Sequence, residues 1–310
     1  MVGLSAGFDS IVFMRILITG ATGLIGQAFI QKYQNFEYIA FTRSIEKASK
    51  LLTQPNIKFI NSLDSLTDVD AIINLAGEPI VGKRWSISQK KKLADSRILL
   101  TQEIVSFIKK SENPPKVLIN ASAIGIYGNR DDKLITETTQ IRQPPTQCFT
   151  EKLGVEWESA AMTASHICRV VVLRTGLVLS QNGGALKKML PPFRLGLGGK
   201  ISSGHQFVSW IHIEDEIQAI HFLLTEAKIS GPVNLVSPQP ITNIEFTKSI
   251  AKAVNKPAFL RTPRFVFQIA LGEASQLLTD SQRIMPTVLL DSKFKFQYND
   301  IDTALKDLLS

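Results

Sequence analysis

The chain has 310 residues, of which 44% are hydrophobic and 20% are charged, proportions that exclude a disordered or fibrous chain and fit one large globular domain or two. It carries 35 lysines and arginines against 27 aspartates and glutamates, a net charge of +8. Because the lysines are scattered along the sequence, we interpret this charge as a solvated basic face and expect no nucleic-acid partner.

The first thirteen residues show neither helix nor strand periodicity. Met14 stands directly before the first predicted strand, so we expect residues 1–13 to be a poorly ordered extension. No stretch approaches the roughly 18 apolar residues of a membrane-spanning helix. Cys148 and Cys168 have neither metal-ligand nor disulfide spacing and are interpreted as reduced thiols. We therefore expect a cytoplasmic protein with no membrane partner and no metal site.

A strand, a glycine turn and a helix follow one another from Met14. Residues 15–19 are apolar or β-branched except for Arg15, and three glycines follow at intervals of three residues. Free backbone N–H groups and the positive end of the helix converge at such a turn, which predicts a site for the pyrophosphate of a dinucleotide. The predicted contacts are Gly20, Ala21, Thr22, Gly23, Leu24, Ile25 and Gly26.

Strands and helices then alternate. Predicted strands cover residues 38–42, 57–60, 71–74, 117–120 and 170–174. Predicted helices cover 45–52, a long segment that follows a capping-box signature at Ser86 and Gln89 and runs to about Lys110, and roughly 149–164. This alternation implies right-handed crossovers and a parallel sheet with helices on both faces. We predict an α/β protein with a doubly wound parallel sheet, in which residues 14–180 form a Rossmann domain. Residues 181–310 are predicted to be mainly a smaller substrate-binding α/β region, with some elements returning to the Rossmann core.

The C-terminal region begins with a stretch rich in glycine and proline, residues 181–205. A helix at 214–224, a strand at 233–235 and a helix that begins with a capping box at Thr242 and Glu245 are predicted after it. Substrate pockets in open α/β sheets lie beyond the carboxyl ends of the strands, so this region is expected to close over that crevice. Its candidate substrate contacts are Arg194 and His205, whereas Trp210 and His212 are expected in the core.

The end of the second predicted strand indicates which dinucleotide binds. Enzymes that use NAD usually place a carboxylate there, but this chain has Thr42, Arg43 and Ser44. A guanidinium and two hydroxyls suit the 2′-phosphate of NADP(H), although a surface arginine after a strand is the alternative. Further predicted contacts on the adenine side are Leu75, Ala76 and Gly77 after the fourth strand and Lys92 and Arg97 on the next helix.

Motifs along the chain carry a resemblance to one family: GATGLIG, INLAGE, KRW, LRTGLVL, LPPFRLGLGG, SGHQFVSWIHIED, SGPVNLVSPQPITNIEF and SQRIMP. They resemble the epimerase family, atypical extended short-chain dehydrogenase/reductases whose members are often named nucleoside-diphosphate-sugar epimerases and sometimes cell division inhibitors. The resemblance covers the chain from Met14 almost to Ser310. It implies an NADP(H)-binding Rossmann domain, a small substrate domain, and nucleotide contacts that include the segment around Val178.

The residues expected to transfer protons depart from the wider superfamily. Extended short-chain dehydrogenases carry a Tyr-x-x-x-Lys pair on the helix after the fifth strand. The corresponding positions here hold Phe149 and Leu153, and Lys152 stands one residue early. The hydroxyls expected nearest to a nicotinamide belong to Ser122 and Tyr127, which are the catalytic candidates.

Two function classes stay open at this point. The first is an NADP(H)-dependent oxidoreductase or epimerase that acts on a small carbonyl or sugar-like substrate through Tyr127, Ser122 or water. The second is a non-catalytic NADP(H)-binding protein that reports redox poise to a partner. Nucleic-acid binding has composition alone behind it, and a monomer and a homodimer are equally compatible with the sequence.

Overall fold

Fifteen strands occur in the computed structural model, which describes residues 14–64, 66–143 and 148–310. The extension expected at residues 1–13 lies outside the described residues. In chain order the strands are β1 (Arg15–Thr19), β2 (Glu37–Phe41), β3 (Ile57–Ile60), β4 (Ala71–Asn74), β5 (Val117–Ala123), β6 (Leu134–Ile135), β7 (Arg169–Thr175), β8 (Leu177–Leu179), β9 (Gly199–Ile201), β10 (Phe207–Val208), β11 (Trp210–His212), β12 (Gly231–Leu235), β13 (Ile241–Thr242), β14 (Leu260–Thr262) and β15 (Arg283–Ile284).

Seven of these strands form one parallel sheet in the order β12-β7-β5-β4-β1-β2-β3. The chain order reverses between β1 and β4, the position at which open α/β sheets bind ligands. The predicted α/β class and doubly wound parallel sheet are therefore confirmed.

Helices cover both faces of this sheet. In chain order the helices of the described residues are α1 (Leu24–Lys32), α2 (Ile45–Leu51), α3 (Ile87–Lys110), α4 (Phe149–Met162), α5 (Gly184–Arg194), α6 (Ile213–Thr225), α7 (Asn243–Ala253), α8 (Arg264–Leu271), α9 (Gln276–Thr279), α10 (Thr287–Asp291) and α11 (Ile301–Leu309). Alternate residues of β1 separate two cores: Ile16 packs with α1 and α6, and Leu17 packs with α3 and α4. Both faces of the sheet are thus covered, as its continuous apolar strands predict.

Most predicted elements begin and end within about two residues of their predicted bounds. β1, β3 and β4 match the prediction residue for residue, while β5 continues to Ala123 because it pairs with β7 as far as Thr175. The Ser86 side chain accepts a hydrogen bond from the Gln89 N–H at the start of α3, and Thr242 and Glu245 form the reciprocal capping box of α7.

The part of the chain after residue 180 contributes to two places. α6 and β12 belong to the layers of the central sheet. In contrast, α5, α7 and α11 pack around a separate core that includes Trp210 and Phe246. Beside it, β9 and β14 pair in parallel. We call α5, α7, α11, β9 and β14 the second unit. It begins in the chain after β8.

A buried polar network joins the carboxyl ends of three neighbouring strands. The Asn74 carboxamide, at the end of β4, accepts a hydrogen bond from Thr19 Oγ1 at 2.6 Å and donates to Asn120 Oδ1 at 2.6 Å and to Thr101 Oγ1 at 3.0 Å. Trp157 Nε1 donates to the same Thr101 hydroxyl at 3.1 Å. Because all these groups are buried, the network fixes β1, β4 and β5 relative to α3 and α4.

Asn74→Ala should destabilise the protein by about 2 kcal/mol or more, since it leaves several buried polar partners unsatisfied. Urea unfolding followed by circular dichroism measures this change. Asn113→Ala, at an exposed position, is the control and should stay within about 0.5 kcal/mol of the wild type. Equal effects of the two substitutions would show that the network does not hold the strand ends.

Candidate functional site

The turn between β1 and α1 forms a cradle of backbone atoms. Gly20 has a φ of +67°, and a Cβ added to it would lie 2.7 Å from the Leu75 carbonyl carbon. A Cβ at Gly26 would lie 2.5 Å from the Gly20 oxygen, whereas a Cβ at Gly23 would meet that oxygen alone, at 3.1 Å. Gly20 and Gly26 therefore serve close packing. Gly23 borders open space at the start of α1, whose N-cap has no side-chain hydrogen bond, so the turn fits a phosphate.

The loop after β2 lies on one side of this cradle. Ser44 accepts a hydrogen bond from the Lys47 N–H at the start of α2, and its own N–H donates to Thr42 Oγ1 at 3.3 Å. Arg43 is exposed. The Lys83 ammonium is the main cause of the lowered pKa of Glu78, and Arg43 adds a smaller effect of the same sign. Arg43 therefore lies within electrostatic reach of the loop after β4.

The loop after β4 lies on the other side. Its backbone is tied to β1, since the Leu75 N–H donates to the Thr19 carbonyl and the Ala76 N–H donates to the Thr19 hydroxyl, both at 3.2 Å. A Cβ at Gly77 would lie 2.8 Å from Arg97 Cζ. The predicted adenine-side residues Leu75, Ala76 and Gly77 thus border the same turn as the glycine cradle.

Arg97, predicted as a nucleotide contact, holds this loop through a hydrogen bond from its side chain to a backbone carbonyl. Its guanidinium donates to the carbonyls of Leu93 and Glu78, both at 3.0 Å, and lies over the Trp157 ring. Burial lowers its pKa to about 10, against the raising effect of Glu78. Lys92, the other predicted contact on α3, is exposed. Arg97 is therefore placed to position residues 77 and 78, and its contact with a nucleotide stays a prediction.

The segment after β8 reaches the start of α1. Val178 pairs with Ile211 of the neighbouring strand β11. Cβ atoms added to Gly183 and Gly184 would lie 3.4 and 3.1 Å from the Leu24 side chain. This places the Val178 segment and the glycine cradle next to each other, as the resemblance implies.

Ser122 and Tyr127 belong to one buried network. The Tyr127 hydroxyl is fully buried; it donates to Asn234 Oδ1 at 2.7 Å and accepts from Arg174 Nη1 at 2.9 Å. Ser122 donates to Glu158 Oε1 at 2.7 Å, and the same carboxylate accepts two hydrogen bonds from Arg174. Burial raises the pKa of Tyr127. Both hydroxyls are engaged inside the protein, and the catalytic role expected of them stays a prediction from the sequence.

Phe149 occupies the position at which the wider superfamily has its catalytic tyrosine. Its ring packs edge-on against Trp85, 5.3 Å between centroids, and Lys90 Nζ lies 5.4 Å from its centroid. Leu153 is buried and Lys152 is exposed. The site thus has an apolar aromatic wall where a proton donor stands in those relatives.

The four residues considered for the substrate pocket separate by burial. Arg194, in the last turn of α5, and His205, after β9, are both exposed, and their role stays a prediction. Trp210 is fully buried and His212 nearly so, stacked on Tyr298 with ring centroids 3.8 Å apart. Burial lowers the pKa of His212 to about 4, against the raising effect of Asp307. The expected core placement of Trp210 and His212 is confirmed.

The sequence analysis missed Glu216, a carboxyl buried beside the end of β7. Its Oε1 accepts a hydrogen bond from Thr175 Oγ1 at 3.0 Å, and Oε2 has no hydrogen-bond partner among the described residues. Burial raises its pKa to about 8, against the lowering effect of Thr175, so the group is mostly protonated at neutral pH. A signal was present, because Glu216 lies in the apolar stripe of α6 with Ile213, Ile217 and Ile220.

The sequence of the chain matches a known protein family. Residues 16–235 match the model of the NAD dependent epimerase/dehydratase family, and residues 262–308 match a domain of unknown function, DUF1731. The chain is 37% identical over 295 residues to the epimerase family protein ML0860 of Mycobacterium leprae, which covers 94% of each chain.

Solved structures show the same similarity. The human epimerase family protein SDR39U1 (isoform 2), crystallised with NADPH, has a TM-score of 0.86 and 32% identity, covering 96% of this chain and 99% of that one. A nucleoside-diphosphate sugar epimerase from Corynebacterium glutamicum has a TM-score of 0.76 and 30% identity, covering 96% of this chain and 58% of that one.

Glu216→Gln should make the protein more stable than the wild type at pH 8 and close to it at pH 5. The folded-state pKa of Glu216 lies above its unfolded value, so the wild type loses stability as pH rises from about 4.5 to 8, by at most ~1.4 kcal/mol per pH unit. Urea unfolding at the two pH values measures the difference. The exposed Glu103→Gln is the control and should follow the wild type; a Glu216→Gln effect independent of pH would contradict the assignment.

Proposed function

Because the chain belongs to the NAD dependent epimerase/dehydratase family, we propose that it is an NADP(H)-dependent oxidoreductase or epimerase of a small carbonyl or sugar-like substrate. The observation that carries this proposal is the glycine cradle beside Arg43, at a strand end without a carboxylate. The NADPH in the human SDR39U1 structure supports NADP(H) over NAD. A cytoplasmic location and a monomeric or homodimeric state stay predictions from the sequence.

The residues present fit this cofactor. The turn at Gly23 leaves room for a pyrophosphate at the start of α1, and Arg43 would neutralise a 2′-phosphate. Ala76 and its neighbours would lie along the adenine ribose, and the Val178 segment would border the nicotinamide. Three of these loops follow neighbouring strands of the sheet, in the order β2, β1 and β4, which supports an extended dinucleotide.

The chain's own residues would bind the cofactor and position the strand ends around it. A bound nicotinamide supplies hydride transfer to or from a carbon of the substrate. Since Ser122 and Tyr127 hold Glu158, Arg174 and Asn234, we assign them the positioning of the β5 and β7 ends. Since Phe149 has no hydroxyl, water would supply the proton in the proposed reaction.

One observation favours a second candidate function. Phe149 has no hydroxyl, and the Tyr127 hydroxyl is engaged by Asn234 and Arg174. A protein that binds NADP(H) without turning it over, and reports redox poise to a partner, would tolerate both features. Steady-state oxidation of NADPH with a panel of aldehydes, ketones and nucleoside-diphosphate sugars separates the two. Turnover supports the enzyme, tight binding without turnover supports the sensor, and absence of binding contradicts both.

Gly23→Val should abolish NADPH binding and leave the protein folded. The backbone at Gly23 has φ −77° and ψ 170°, which valine adopts, and its side chain would occupy the space next to the phosphate. Fluorescence titration and thermal unfolding measure the two properties. Gly26→Val is the contrasting variant and should lower stability, because its side chain would strike Gly20 and Ala21. Unchanged NADPH affinity in folded Gly23→Val would contradict the cradle.

Arg43→Ala should weaken NADPH binding by about ten-fold to a hundred-fold and leave NADH binding nearly unchanged, since a charge-assisted hydrogen bond contributes roughly 1.5 to 3 kcal/mol. The wild-type preference for NADPH should also narrow at high salt, because Arg43 is exposed. Titration of both nucleotides at two ionic strengths measures this. Lys47→Ala, on the adjoining helix, is the control. Equal losses for NADH and NADPH would show that Arg43 supports the loop and does not bind the phosphate.

A further inference from the structure

Positive charge is concentrated in two segments of the second unit, whereas its last helix, α11, carries Asp302 and Asp307, and Asp302 pairs with Lys252. Two segments, from the start of α5 to β11 and from β13 to the end of α8, contain nine lysines and arginines and one carboxylate, Glu245. This surplus of eight equals the net charge of the whole chain, +8. Glu245 is engaged in the capping box of α7. The basic residues are Lys187, Lys188, Arg194, Lys200, Lys248, Lys252, Lys256, Arg261 and Arg264.

The same segments carry large apolar side chains in contact with solvent. Helix α8 has the sequence RFVFQIAL and no buried residue, and its Ile269 is 70% exposed. Phe259, just before β14, is 77% exposed. Further members are Leu195, Leu197, Leu260, Phe265 and Val266. Exposed apolar side chains that form one patch rimmed by polar residues mark an interaction site.

These apolar residues are neighbours in the fold. Leu195 and Leu197 flank Gly196, where an added Cβ would lie 3.8 Å from Pro257. Phe259 follows two residues later, and Leu260 pairs with Gly199 in the β9 and β14 pair. Only Pro263 separates β14 from α8. We call this surface, Leu195, Leu197, Phe259, Leu260, Phe265, Val266 and Ile269, the apolar face.

Basic side chains border the apolar face along the chain and in the sheet. Arg194 precedes Leu195, Lys256 precedes Pro257, and Arg264 begins α8. Lys200 pairs with Arg261 next to Leu260. Of these five, all but Lys200 are exposed. Phenylalanine, leucine and isoleucine bordered by lysine and arginine are the combination that binds the headgroup and acyl boundary of an anionic bilayer.

We propose that the apolar face docks on a membrane surface that carries anionic phospholipids. A second copy of the chain would bring one basic border against another, which electrostatic repulsion opposes. A nucleic acid would neutralise the charge but would leave the exposed phenylalanines and leucines in water. A bilayer satisfies both groups, since acyl chains receive the apolar face and phosphates receive its border.

This proposal reverses the sequence expectation of no membrane partner. None of the helices in the described part of the chain has the length and hydropathy to cross a bilayer, so the docking is peripheral. It also has a consequence for the site, because α8 ends at Leu271, which packs in the cluster of Trp85 and Phe149. Docking through α8 would therefore bring the cluster of Trp85 and Phe149 close to the bilayer.

Sedimentation with phosphatidylcholine vesicles, with and without phosphatidylglycerol, tests the proposal on the full chain. The wild type should bind the anionic vesicles, bind the neutral ones at least roughly tenfold more weakly, and lose affinity as salt rises. The triple variant Phe259→Ser, Phe265→Ser, Ile269→Ser should bind anionic vesicles about tenfold or more weakly than the wild type. Its control, Ile87→Ser with Leu99→Ser, removes exposed apolar side chains of α3 and should bind like the wild type.

A second pair of variants tests the position of the charge. Lys256→Glu with Arg264→Glu should reduce vesicle binding about tenfold or more, whereas Lys109→Glu with Lys110→Glu, the same charge change at the end of α3, should have a much smaller effect. NADPH affinity and thermal unfolding verify that each variant is folded. Equal losses in the two pairs, or no binding of the wild type to anionic vesicles, would overturn the proposal. So would a wild-type dimer that the triple serine variant converts to a monomer without any vesicle binding.

Discussion

The ion pair of Arg174 with Glu158 is buried between β7 and α4, and the side chains of Ser122 and Tyr127 are hydrogen-bonded to it. Burial alone would lower the pKa of Arg174, and the hydrogen bonds from its guanidinium to Glu158 raise it again. A buried pair is stable only when its remaining donors and acceptors are also satisfied, since each unpaired ion costs several kcal/mol. Ser122 and Tyr127 complete this requirement. Their hydroxyls cannot leave the pair for a substrate without exposing it to that penalty.

The same constraint extends to the C-terminal segment. Tyr127 donates to Asn234 of β12, and the Asn234 N–H donates to Glu137 at 3.0 Å. Glu137 also accepts hydrogen bonds from the Thr287 and Val288 N–H groups at the start of α10. Hydrogen bonds therefore hold the start of α10 to the sheet. A change in the ion pair would reach the start of α10 through this chain of bonds.

Sequence reasoning predicted the parts of this molecule that depend on local pattern. The strand of Arg15 to Thr19, the glycine spacing and the caps at Ser86 and Thr242 all follow from residues within a few positions of one another. The polar networks do not, because Ser122 and Glu158 are 36 residues apart and Tyr127 and Asn234 are 107 apart. Periodicity carries no information about such pairs. The sequence predicted that some elements after residue 180 return to the Rossmann core. It did not predict that β12 would pair with β7, which only the fold shows.

Burial separates residues that the sequence presents as equivalent. Arg43 and Arg97 were both predicted as nucleotide contacts, but Arg97 is held by two backbone carbonyls under the loop after β4, while Arg43 is exposed. The lysines, scattered in the sequence, show the opposite relation. Their surplus gathers in two segments of the second unit because acidic residues are nearly absent from α5, α7, β14 and α8. Net charge alone cannot distinguish a solvated face from a docking surface. The position of exposed phenylalanine and isoleucine beside that charge makes the distinction, and it requires the fold.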